Sequence, residues 1–186
     1  MKKAFLLVIN SAFCLNLLAC GAALTADNNS KPSISQQETQ IETKQEIKIG
    51  DKIITNDTEI TINNVEFTYD VIPDDTSRFY NSFEAGSGKV YICVDTDVTN
   101  KSRLIRVCDE IGKVIADYND GYTYTGFAIA EYGSLGLQYA NTVNIYPLET
   151  MGIRWLIECP QEVEDDKAPL FLEFTIGGEE FIYTIR

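Results

Sequence analysis

Along residues 60–185 the chain repeats one device: short runs of alternating apolar and polar side chains, cut by turn residues. Successive side chains on a strand point to opposite faces, so an alternating run makes a strand with one face buried and one in water. The run Lys89–Asn100 carries the device furthest. Val90, Ile92, Val94, Thr96 and Val98 share one face, and Tyr91, Cys93, Asp95 and Asp97 share the other. No stretch has convincing amphipathic helical periodicity. Strands must therefore supply the core, and antiparallel pairing is the arrangement that leaves a polar face to solvent.

Ahead of that run, Ile60 and Ile62 alternate with Thr61, and Val65, Phe67, Tyr69 and Val71 alternate with Glu66, Thr68 and Asp70. Asn63-Asn64 between them marks a bend. After it come Leu104, Ile105 and Val107, strands over residues 113–118 and 122–129, a loop over 132–138, and a return to strand at Val143 and Ile145. Ile153, Trp155, Ile157 and Cys159 then alternate with Arg154, Leu156 and Glu158, and Leu170, Leu172, Phe174 and Ile176 share one inward face. Asp120-Gly121 and Gly177-Gly178 supply the positive φ angles of tight hairpins, Pro160 stops a strand, and residues 161–167 read as an acidic loop. Many strands of this length separated by turns predict an all-β domain, an immunoglobulin-like antiparallel β-sandwich over residues 47–186.

The first 46 residues differ in kind. Lys2 and Lys3 precede an apolar run from Ala4 to Leu18, too short for a comfortable membrane span and proportioned like a secretory leader. Leu17-Leu18-Ala19-Cys20 closes it and resembles the bacterial lipobox, in which a diacylglycerol is attached to the cysteine and the chain is cut before it. Residues 1–19 are then a lipoprotein signal peptide and Cys20 the lipidated first residue. Cleavage near Ala23 or Ala26 is the alternative, and it would discard Cys20. Two or three acyl chains at about 0.8 kcal/mol per buried methylene hold a protein where one does not. Residues 20–46 are polar and free of aromatics, which predicts a disordered tether with a reach of about 25–30 Å. A short helix over residues 36–47 is the alternative.

Without the two leader lysines, 13 basic residues stand against 28 acidic ones, a net charge of −15. That balance argues against nucleic acid as a partner and against lying flat on an anionic bilayer. The chain has no histidine, which removes Ser–His–Asp and Cys–His catalysis and ordinary zinc sites. Cys93, Cys108 and Cys159 form no Cys-x-x-Cys pair; either Cys93 and Cys108 are bridged or all three are buried thiols that pack as small hydrophobes.

Several stretches together resemble one family: Gly50-Asp51 leading to the strand from Glu59 to Phe67, the long strand ending at Asn100, the hairpin Asn119-Asp120-Gly121-Tyr122, the turn Tyr146-Pro147-Leu148-Glu149, and the strand from Gly152 to Pro160. They are similar to the telokin-like, immunoglobulin-fold secreted domain of bacterial lipoproteins of unknown function. Leu148 departs from the glycine usual there. The resemblance implies a fold and an extracytoplasmic location, and brings no catalytic residue.

Three surfaces are candidates for function. Tyrosines combine a rigid apolar body with a polar tip, which makes Tyr118, Tyr122, Tyr124 and Tyr132, with Phe127, Tyr139 and Tyr146 nearby in sequence, a candidate binding stretch. Asp117, Asn119 and Asp120, and Glu162, Glu164, Asp165 and Asp166, are acidic turns of the kind that could hold calcium, although the spacing fails the EF-hand register. Asp95 and Asp97 share a strand face, as a carboxylate pair for glycoside hydrolysis would. The expected function is a cell-membrane lipoprotein, anchored on the extracytoplasmic side through Cys20, whose monomeric domain is a non-catalytic binding module for a protein or envelope polymer. It needs no cofactor, no metal and no nucleic acid. A calcium sensor or a hydrolase using the acidic loops is the alternative.

Overall fold

The computed structural model describes residues 44–186; Cys20, the leader and the tether up to residue 43 lie outside it. Strands β1 (Gln45–Glu46), β2 (Lys52–Ile54) and β3 (Thr58–Thr68) are followed by β4 (Asp70–Val71), β5 (Phe83–Glu84) and the long β6 (Lys89–Asn100). Next come β7 (Arg106–Val107), β8 (Gly112–Tyr118), β9 (Tyr122–Thr125), β10 (Phe127–Glu131), β11 (Leu137–Tyr139) and β12 (Asn144–Ile145). The chain ends with β13 (Thr150–Pro160), the single turn α1 (Glu162–Asp165), β14 (Leu170–Ile176) and β15 (Glu179–Thr184). Two sheets face each other. One is ordered β1-β15-β14-β8-β9, the other β11-β10-β13-β6-β3-β2, and every pairing is antiparallel except β1 with β15. The all-β, immunoglobulin-like sandwich expected from the alternation is the fold found.

Between the sheets lie Ile60, Ile62, Val90, Ile92, Val94, Val98, Val114, Ile153, Ile157, Leu170, Leu172, Phe174 and Ile176, all essentially without solvent contact. Trp155 of β13 meets Phe174 of β14 edge-to-face, ring centres 6.4 Å apart, and so joins the two layers. Thr96, a polar residue on the inward face of β6, donates its hydroxyl to the Ile153 carbonyl at 2.6 Å, which removes the cost of burying it. The bend foreseen at Asn63-Asn64 is a bulge in the β3–β6 pairing. One extra residue there shifts the parity, so that Val65 and Phe67 pack on the same core as Ile60 and Ile62.

Three expectations change, and the alternative left open for the cysteines is settled. Gln45 and Glu46, expected in the tether, pair with Phe181 and Ile182. Cys93 and Cys108 are free: Cys93 lies on the outer side of the six-stranded sheet and Cys108 in the core between the sheets. Residues 161–167 include a helical turn because Val163 is drawn into the core and Arg186 caps its end through the Val163 carbonyl. The run 122–129 is two strands, since β9 belongs to the five-stranded sheet and β10 to the six-stranded one. The chain crosses between layers at Gly126, where a Cβ would stand 2.9 Å from Ile157 Cγ1 and 3.2 Å from the Val114 carbonyl oxygen. Only glycine fits that passage.

Leu148, where the family resemblance calls for glycine, has φ of 66° and an exposed side chain. A left-handed backbone strains a side chain with a Cβ and costs glycine little. Leu148→Gly should therefore raise the unfolding free energy, by about 0.5–1 kcal/mol, as measured by urea denaturation.

Candidate functional site

The hairpin β8–β9 brings three of the predicted tyrosines to one end of the sandwich. Its turn places Asn119 and Asp120 at φ of 51° and 53°, and the Gly121 amide donates to the Asp117 carboxylate at 2.9 Å. Asp117 is thereby spent on the turn. Tyr118 and Tyr122 pair across the hairpin with ring centres 6.1 Å apart. The Tyr118 ring is buried, and its hydroxyl donates to Asp166 at 2.5 Å; Tyr122 is 61% exposed. Tyr124 is half-buried against the core. With Pro160, Glu162 and Asp166 these side chains line a hollow of about 250 Å³.

The Tyr118–Asp166 contact sets the electrostatics of this hollow. Donation to the carboxylate pushes the Tyr118 phenol up to about 12, and the same bond, with the Lys167 amide, holds Asp166 below its ordinary value. A raised phenol stabilises the fold below its ordinary value near 10 and loses that contribution as pH rises through about 12. A lowered carboxylate stabilises above its ordinary value and loses the contribution as pH falls through the depressed one. The pair is therefore intact across the neutral range.

Tyr132 is elsewhere. It follows β10 and lines a different hollow, of about 610 Å³, with Asp74, Asp97, Glu131, Leu135 and Met151 on the six-stranded sheet. The four tyrosines do not form one surface. Tyr139 and Phe127 join neither hollow; they pack with Phe83 in an aromatic group, Phe83 and Tyr139 edge-to-face at 5.1 Å.

Sequence reasoning missed Arg154. Its guanidinium, nine-tenths buried on the outer face of the large sheet, reaches Asp74 at 2.5 Å and Asp95 and Glu131 at 3.3 Å each, and donates to the Ile72 carbonyl at 2.5 Å. Glu131 in turn accepts the Asp74 amide at 2.7 Å. Burial pushes the Glu131 carboxyl up. The signal available in the sequence was a lone cation on the face that carries Leu156 and Glu158, opposite a strand bearing two aspartates. The cation ties the excursion after β4 down onto the sheet, beside a small outer core of Val71, Tyr91, Cys93, Ile129, Leu137 and Leu156. Asp95 is thus an ion-pair partner, and Asp97 accepts the Asn63 amide at 3.2 Å.

The three thiols are all buried, and burial pushes Cys93 and Cys108 up to about 12 and Cys159 up to about 11. They are protonated, unreactive groups at neutral pH. In the acidic turn, Glu164 accepts the Tyr69 hydroxyl and Asp166 that of Tyr118. Among the described residues, no three acidic or cysteine side chains stand close enough together to hold a metal ion.

These features define an antiparallel β-sandwich with small hollows on its edges and clamped outer face. The chain belongs to the family of an uncharacterized beta-sandwich protein from Clostridium difficile 630, with which it shares 41% identity over 78% of its own length and 96% of the other chain, at a TM-score of 0.76. A conserved hypothetical protein from Bacillus anthracis, 12% identical over 74% of this chain and 94% of that one, shares the fold at a TM-score of 0.50. No family model and no curated protein matches the chain. Nearly all of the crystallised Clostridium difficile chain corresponds to 78% of this one, about the length of the described sandwich.

Removing the Arg154 cation leaves carboxylates facing one another. Its partners keep contact with water, so the penalty falls below that of breaking a fully buried pair. Arg154→Met should cost about 2 kcal/mol in chemical denaturation and expose the segment 72–82 to limited proteolysis.

Proposed function

We propose that this protein is a lipid-anchored lipoprotein of the cell envelope, of the telokin-like secreted kind, and that its sandwich is a non-catalytic binding module. The observation that carries the reading is the hollow at the β8–β9 end. There Tyr122 and Tyr124 stand beside Glu162 and Asp166, with Tyr118 held in place by its bond to Asp166. Aromatic faces with adjacent carboxylates suit a partner rich in hydroxyl or amine groups, such as an envelope polymer. Strand β1 enters the sheet beside Glu180 and runs toward this end of the sandwich. The lack of histidine in the chain, and the burial of Cys93, Cys108 and Cys159 as protonated thiols, support a role in holding rather than transforming.

The anchor has a direct test. In cells, Cys20→Ala should abolish incorporation of labelled fatty acid into the protein and leave its leader uncleaved at that site. A labelled, normally processed variant would refute the anchor.

The binding surface is tested by tyrosine-ring NMR of residues 44–186 with soluble peptidoglycan fragments and, separately, with calcium chloride. The fragments should shift the Tyr122 and Tyr124 rings, and Tyr122→Ala or Glu162→Gln should reduce affinity about tenfold, in line with the loss of one central aromatic or charged contact. A response to calcium alone would favour the ion-sensor alternative. Shifts confined to Tyr132 would move the site to the other hollow.

A further inference from the structure

At the end opposite the tyrosine hollow, three loops are stitched together by backbone bonds. The Lys101 amide donates to the Asp57 carbonyl at 2.8 Å, the Leu148 amide to the Asn100 carbonyl at 2.8 Å, and Arg106 pairs with Ile145 in the β7–β12 ladder. The joined loops present Ile54, Leu104, Ile105, Tyr146 and Leu148 to solvent, with Leu104 73% and Leu148 78% exposed. Five large apolar side chains gathered on the joined loops of one end are the kind of feature that marks an interaction surface. Leu104 and Ile105 lie inside Lys101-Ser102-Arg103-Leu104-Ile105-Arg106, which holds three of the chain's 15 basic residues. Lys101 is paired with Glu59 at 3.1 Å, Arg106 donates to the Glu110 carbonyl, and Arg103 is exposed.

We propose that this end docks on a lipid bilayer, with Leu104, Ile105 and Leu148 entering the headgroup boundary and Arg103 and Arg106 meeting lipid phosphates. Apolar tips flanked by cations are the chemistry of an interfacial contact, and tyrosine is at home at that depth. The place where the described chain starts points to the same partner. Lys44 lies beside Glu173 and Glu180, and β1 runs away from the Asn100 end, so the described chain begins toward the docking side. The net negative charge opposes lying flat and is compatible with standing on one apolar end, where Lys101, Arg103 and Arg106 offset Asp57, Glu59 and Glu149. The inference rests on the membrane anchor proposed above, and an artificial tether separates the two in the test.

Residues 44–186 with an N-terminal hexahistidine tag are held on nickel-chelating vesicles of phosphatidylcholine and phosphatidylglycerol. Two exposed positions are made reporters in separate proteins, Leu104→Trp and, at the far end, Tyr122→Trp. Trp155, the chain's single tryptophan, is buried and gives a constant background. Leu104→Trp emission should move to the blue and be quenched by brominated phosphatidylcholine, with Tyr122→Trp unchanged. Adding Arg103→Glu should reduce the shift at position 104. No shift at 104, or equal shifts at both positions, would overturn the proposal. A shift at 104 that needs no vesicles and grows with protein concentration would also overturn it, by assigning the patch to a second copy of the chain. Because the tether is artificial, none of these outcomes depends on Cys20.

Discussion

Where β6 ends, the Asn100 side chain is fully buried and makes four hydrogen bonds, to the Leu104 and Ile145 carbonyls and from the Ser102 amide and hydroxyl. An amide side chain has two donor hydrogens and two acceptor lone pairs, so its capacity is filled. Strand β6 pairs with both β3 and β13, which makes its terminus the place where the inner strands of the large sheet must hand the chain to loops. A water-filled end there would open the core above Met151 and Cys108. The saturated amide closes that end and fixes the loop over residues 101–106 against the turn at 145–149. Both the sandwich and the apolar rim proposed to meet lipid inherit their shape from that one side chain.

The outer face of the large sheet is organised by the opposite logic, with too many charges of one sign rather than too few partners. One guanidinium among three carboxylates leaves a local excess of negative charge, tolerable because Asp74 is largely in water while Arg154 is not. Burying a cation whole is expensive unless its hydrogens are all placed, and Arg154 places them on Asp74, Asp95, Glu131 and the Ile72 carbonyl. The clamp gives the excursion between β4 and β5 a fixed position over Cys93 and Tyr91. It works as a structural fastening and leaves the tyrosine hollow, at one end of the sandwich, free for a partner.

Much of this was legible along the chain because strand faces are a local property. Val90 to Val98 could be assigned inward and Cys93 outward from alternation alone, and Gly177-Gly178 and Asn119-Asp120-Gly121 announced their hairpins. Contacts between distant segments were not legible. Asp74 and Arg154 are 80 residues apart, and nothing local in either marks the other. Tyr118, Tyr122, Tyr124 and Tyr132 are close in sequence, which suggested one surface, yet the crossing at Gly126 sends Tyr132 to the other layer. Nothing local in the sequence marks Leu104 and Ile105 as exposed. Their exposure follows from the turn that Asn100 imposes, and that turn is set by partners 45 residues away.

The passage at Gly126 has a mechanical meaning as well. Most sandwiches of two sheets resist separation only through the packing of side chains across their interface, which yields to a modest pull. Here one unbroken stretch of backbone is a member of both layers, hydrogen-bonded to β8 on one side of the glycine and to β13 on the other. A load that pries the layers apart is carried by covalent bonds until one of those ladders unzips. The narrow glycine that lets the strand through is therefore also the seam that rivets the sheets together.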